Sequence, residues 1–194
     1  MSSRRITIIQ GHPDIEESHL GHALASAYAD GAAQAGHQLR YVIVAQLECP
    51  LLQRKEDWEH GPAPEAIVAA QQAIAWADHL LIVFPLWLGT MPASFQAFLE
   101  QLLRPGFAFD PQADGRRNLL GGRSAHLVVT MGRPVPVRWR LFGADGVRGL
   151  VRNVLRYFGV SPVRTSYLDT GEKAGPRGVR RCLERMRRAG AKAA

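Results

Sequence analysis

Apolar and polar positions along the chain alternate between two periods. Arg4–Gln10 reads as a short buried strand carrying Ile6, Ile8 and Ile9, and Gly11 and Pro13 end it. From Ser18 to about Ala35 the period becomes helical. Leu20, Leu24, Ala27 and Tyr28 share a face, Ser18 is placed to cap the start, and Gly36 suits the exit. Leu39–Ala45 is a second strand, Gln46–Pro64 a long polar connection expected at the surface, and Glu65–Ala77 a second helix. His79–Phe84 is apolar without alternation, as a central parallel strand covered on both faces requires. Pro92 opens a third helix, with Phe95, Phe98, Leu99, Leu102 and Leu103 as its stripe and Arg104-Pro105-Gly106 as its end. Ala125–Thr130 is a fourth strand, Asp145–Phe158 a fourth helix, Val163–Leu168 a fifth strand and Arg177–Arg188 a last, basic helix.

Five strands separated by helices indicate the α/β class: a doubly wound, five-stranded parallel sheet with helices on both faces. In such sheets ligands bind beyond the carboxyl ends of the strands, where the strand order reverses. For the order 2-1-3-4-5 that point lies between the first and third strands. Gly11–His19, Pro85–Pro92 and Thr130–Pro134 then converge there.

Composition narrows the class. A chain of 194 residues, 46% apolar and 21% charged, is globular and is expected to form one domain over residues 1–194. No apolar run approaches the ~18 residues of a membrane span. The longest, Leu80 to Gly89, contains Pro85. Ile6–Ile9 is too short for the core of a signal peptide, and Cys49 and Cys182 form no CxxC. A cytoplasmic protein, not integral to a membrane and without a zinc site, is expected. The net charge of +7 is uneven: residues 1–103 hold 5 Lys/Arg against 11 Asp/Glu, and residues 104–194 hold 19 against 6. The basic half reads as a solvated face or a site for an anionic partner. No aromatic interleaving or helix-turn-helix pattern points to nucleic acid.

The three loops carry the chemistry. The first is neither GxGxxG nor GxxxxGK[ST], yet it meets a helix start, where free N–H groups favour a phosphate. Ser18 and His12 could add donors; each also reads as an ordinary cap or turn residue. His12, His19 and His22 match no strong zinc spacing. The second loop, Pro85-Leu86-Trp87-Leu88-Gly89-Thr90-Met91-Pro92, sets apolar residues at a strand end where loops are normally polar. Gly89 permits close approach of backbone to a flat ligand. The third, Thr130-Met131-Gly132-Arg133, offers a hydroxyl and backbone donors.

At these loops the chain resembles the flavodoxin-like NAD(P)H:quinone oxidoreductases, including the modulators of drug activity and the ancillary subunits of glutathione-gated potassium efflux systems. The resemblance rests on Gly11-His12-Pro13 with Ser18-His19, on Phe84-Pro85-Leu86-Trp87 with Gly89 and Pro92, on Arg104-Pro105-Gly106-Phe107-Ala108-Phe109, and on Thr130-Met131-Gly132. It implies a flavodoxin-like fold, a homodimer, and a bound flavin, with FAD slightly favoured over FMN. NAD(P)H would be the co-substrate and a quinone or similar acceptor would take the electrons. By that resemblance His12, Ser18, His19 and Leu20 contact the phosphate and ribityl part. Pro85, Leu86, Trp87, Leu88 and Gly89 line the ring, Thr130 and Gly132 meet its pyrimidine edge, and Phe107 and Phe109 line the substrate cleft. Met131 and Arg133 depart from the paired Thr-Thr-Gly-Gly of several relatives. Trp139 and Asp145 stand where some carry a Tyr and a His. The flavin supplies the chemistry, Trp139 and Asp145 are the only candidate acid–base residues, and Asp145 also reads as a helix cap. Two other readings share the fold: a one-electron carrier, disfavoured by the positive charge, and a flavin-bearing regulatory subunit of a transporter.

Overall fold

The computed structural model describes residues 2–15, 19–112, 117–131, 145–169 and 175–194. Five strands, β1 (Arg5–Gln10), β2 (Gln38–Ile43), β3 (His79–Pro85), β6 (Ser124–Met131) and β7 (Val163–Asp169), pair in the order β2-β1-β3-β6-β7, every neighbour parallel. β4 (Phe109–Asp110) and β5 (Arg117–Asn118) form a separate antiparallel pair. Without that pair the order is the expected 2-1-3-4-5. All seven residues of β3 are buried, which is why that strand is apolar without alternation.

Alternate side chains of the strands feed two cores. Ile6, Ile8, Leu81, Val83, Val128 and Leu168 pack beneath α1 (Leu20–Gln34) and the last helix, α6 (Gly175–Ala191). Ile9, Leu80, Ile82, Phe84, Leu127 and Val129 pack beneath α3 (Glu65–Trp76), α4 (Ala93–Leu102) and α5 (Asp145–Gly149). Helices therefore cover both faces, as right-handed crossovers demand.

Three local features depart from the sequence pattern. Gln46–Pro64 is not simply loop: it holds a five-residue helix, α2 (Lys55–Glu59), with no buried residue. Arg104, 6% exposed, ties this segment down by donating to the Asp57 carbonyl at 2.7 Å and the Gly61 carbonyl at 2.8 Å. The helix expected over Asp145–Phe158 is α-helical only to Gly149 and continues as a π-helical stretch, Leu150–Leu155, with Arg156 N–H donating to Val151 O at 3.0 Å. The last helix is longer than expected, running Gly175–Ala191. Among the described residues no helix is long and apolar enough to cross a membrane.

Candidate functional site

At the carboxyl edge of the sheet the described parts of the three loops meet. Gly11 N–H donates to Val83 O at 2.8 Å, and a Cβ at Gly11 would lie 2.8 Å from the Phe95 ring. Only glycine lets this loop sit so close to α4. His12 follows. His12 Nδ1 lies 3.1 Å from Asp14 N and 3.2 Å from Asp14 O, so the tautomer decides whether it accepts from the amide or donates to the carbonyl. Asp14 also gathers two more imidazoles: its carboxylate lies 3.0 Å from His19 Nε2, and its carbonyl 3.0 Å from His22 Nε2. His12 and His19 stack with centroids 4.1 Å apart. Burial pushes His12 below its ordinary pKa, and His19 and His22 add to the effect. Burial thus favours the neutral form of the His12 ring.

Ser18, expected to cap α1, lies outside the described residues. His19 occupies the position before Leu20, with extended backbone (φ −74°, ψ 131°) and no side-chain bond to the helix start. α1 is 15 residues long, so its first turn presents N–H groups with the helix dipole behind them. Leu20 is half-buried against the α1–α6 core.

The second loop is a tight reversal at the end of β3. Leu86 N–H donates to Thr130 O at 2.8 Å, joining this loop to the end of β6. Trp87 and Thr90 then exchange two backbone hydrogen bonds, each 2.9 Å. The residues between them, Leu88 at φ 49° and Gly89 at φ 84°, both have positive φ, the mark of a type I′ turn. Leu88 is fully exposed at the tip, in a backbone conformation that a side chain adopts at a cost. Trp87 is half-exposed, its ring edge-on to His12 at 6.1 Å. Pro85 and Thr130 are buried beneath the turn. Gly132, Arg133 and Trp139 lie outside the described residues.

Phe107 and Phe109, expected to line the substrate cleft, are partly buried and pack on the α3–α4–α5 core. Phe109 lies 6.0 Å from the rings of both Trp58 and Phe158, and those two rings line the neighbouring groove. This groove, about 680 Å³, runs between the Leu52–Trp58 segment, α4 and the π-helical stretch, and it adjoins the Trp87 turn through Met91. Asp145 is the first described residue of α5, and its largely exposed carboxylate pairs with Arg148.

Gln10 was missing from the expected set. It closes β1 beside the first loop, is 8% exposed, and its Oε1 has no partner among the described residues. A polar residue ending an otherwise apolar strand was the available signal. Trp58 and Phe158 gave none, because 100 positions separate them.

Known proteins show the same arrangement of chain. A Haemophilus influenzae protein named as an uncharacterized NAD(P)H oxidoreductase is 26% identical over 161 residues, covering 80% of this chain and 79% of its own. An FMN-dependent NADH:quinone oxidoreductase of Nitratidesulfovibrio vulgaris is 23% identical over 187 residues, covering 88% of each. The solved structure of the NAD(P)H:quinone oxidoreductase from Methanothermobacter marburgensis superposes with a TM-score of 0.78 at 22% identity over the whole of both chains, a likeness of fold. With residues 4–189 matching as a flavodoxin-like fold, the chain belongs to the Flavodoxin_2 family.

Proposed function

We propose that this chain is a flavin-dependent NAD(P)H:quinone oxidoreductase. The observation that carries the reading is the convergence of His12, the start of α1, the Trp87–Thr90 turn and the Thr130 strand end at one edge of the sheet. The residues fit a flavin. The first turn of α1 and the His12 ring suit its phosphate, and we assign Ser18 and His19 to the same part. The buried Gln10 Oε1, without a partner among the described residues, suits a hydroxyl donor such as the ribityl chain carries. Pro85, Leu86, Trp87, Leu88 and Gly89 suit the flat ring, and Thr130 with Gly132 its pyrimidine edge. When bound, the flavin supplies the two-electron chemistry between NAD(P)H and a quinone. This chain's residues bind it, orient it and keep one face open.

FMN is the flavin we favour. The N. vulgaris relative is FMN-dependent by name, and the lean toward FAD finds no support among the relatives. No catalytic proton donor is assigned, because the Asp145 carboxylate is committed to Arg148. We further propose a single-domain, cytoplasmic homodimer whose second copy covers the apolar groove and the exposed Trp87 and Leu88.

The test is steady-state turnover of NADH and NADPH with a soluble quinone, after reconstitution with FMN. The expected result is two-electron quinone reduction with ping-pong kinetics, and light scattering at twice the 21.4 kDa chain mass. A flavin-loaded protein that oxidises neither nucleotide contradicts the enzyme reading and favours the regulatory one. A monomer contradicts the dimer.

A further inference from the structure

α5 and its π-helical continuation separate two concavities. The apolar groove lies on one side, with Leu150, Val154 and Phe158. On the other side, between this helix and the edge strand β7, is a polar cavity of about 480 Å³ lined by Arg148, Arg152, Arg156, Asn153, Thr165 and Tyr167. The three arginines recur every fourth residue, so they share one side of the helix and span on the order of 10 Å along it. Asp145 is the one acid among the described residues of this wall, and it pairs with Arg148. Two of the three guanidinium charges therefore have no counter-charge among the described residues of the cavity wall.

The position of the helix links this cavity to the candidate site. A Cβ at Gly146 would lie 2.5 Å from Thr90 Oγ1, so the start of α5 rests directly on the Trp87–Thr90 turn. The arginine row begins beside the ring end of the site and leads away from it along the sheet edge.

We propose that this cavity takes the 2′-phosphate of NADPH and makes NADPH the preferred hydride donor. The inference rests on the NAD(P)H:quinone oxidoreductase reading. A phosphate monoester carries nearly two negative charges and three acceptor oxygens, which planar guanidinium forks bind in paired hydrogen bonds. Asn153 and Thr165 add neutral donors, and Tyr167 a flat apolar face for an adenine. The concavity suits a nucleotide end better than a strand of nucleic acid, which needs an extended basic track with stacking platforms. NADH places only hydroxyls there and gains nothing from the charge.

The experiment compares KM for NADPH and NADH at fixed ionic strength in the native protein and in Arg152→Gln/Arg156→Gln, which leaves the Asp145–Arg148 pair in place. The native protein should show a KM for NADPH about tenfold below that for NADH, and the variant should lose that tenfold through NADPH alone. kcat and the KM for NADH should stay within about twofold, a smaller change than the loss of one hydrogen bond to a charged group. Adenosine 2′,5′-bisphosphate should compete with NADPH, and inorganic phosphate at equal concentration should not. Equal KM values in the native protein overturn the proposal, as does a variant that raises both alike or phosphate competing as well as the bisphosphate. If flavin-loaded protein turns over neither nucleotide, the oxidoreductase reading has failed and calorimetry decides this one. Bisphosphate binding that disappears in the variant supports the cavity, and no binding to the native protein overturns it.

Discussion

Gly89 shows how one residue shapes the site. Its φ of 84° lies in the left-handed region, and the two reciprocal bonds between Trp87 and Thr90 exist only while the turn keeps that geometry. Valine there is strained by its branched Cβ, whereas asparagine tolerates positive φ. The turn is exposed at its tip, so the penalty falls on the site and not on the core. Gly89→Val is expected to weaken FMN binding by about tenfold or more, the equivalent of about 1.4 kcal/mol, with little change in Tm, while Gly89→Asn stays near native affinity. Equal affinities in Gly89→Val and the native protein would show that the ring does not rest on this turn. At this scale much was legible in the sequence. His12, Trp87 and Thr130 stand together as the motif order implied. For Gln10 the sequence held only the weak signal of a polar residue closing β1, and packing alone reveals that its amide oxygen is buried with no partner among the described residues.

The strands were legible to within a residue or two, most plainly β3, where burial on both faces forces a continuous apolar run. The two-residue β4–β5 pair and α2 were not: neither buries a periodic face that a pattern could reveal. The π-helical stretch also escaped, since Val147, Leu150, Val151, Val154 and Leu155 fit an ordinary helical period and only the backbone bonding distinguishes it. The central strands also hide two ionisable groups among apolar neighbours. On β3, His79 is 2% exposed and bonds Ser124 Oγ at 2.7 Å; on β6, His126 is 2% exposed and bonds Ser166 Oγ at 2.9 Å. Burial holds His79 down to about 3 and His126 down to about 4, so both are neutral in the folded state. The unfolded chain takes up these protons near pH 6.5 and the folded chain does not. Stability is therefore full above pH 6.5 and falls as pH drops toward 4, by up to about 1.4 kcal/mol per pH unit for each histidine. The Asp78 carboxylate, held down to about 2 by hydrogen bonds from Arg5, acts only below its ordinary value near 3.8, so its effect is separable. Urea midpoints measured from pH 7 to pH 4.5 should fall steadily. A flat profile would contradict neutral burial of the two imidazoles.

For the whole molecule, the order of strands decides where function can sit. The sequence implied that order, because alternating strands and helices with right-handed crossovers leave few arrangements. The groove of Trp58 and Phe158 was beyond sequence reasoning, since it forms between segments distant in the chain and depends on Arg104 holding the Asp57–Gly61 backbone in place. The uneven charge was visible from composition, and the spacing of four already set Arg148, Arg152 and Arg156 on one side of a helix; the fold adds the cavity against β7 that this side lines. The account stands on flavin occupying the convergence of the three loops. Calorimetric titration of flavin-free protein with FMN measures that most directly. One FMN per chain at micromolar or tighter affinity, weakened in Gly89→Val, is the predicted result. Absence of binding by either FMN or FAD to folded protein would contradict it.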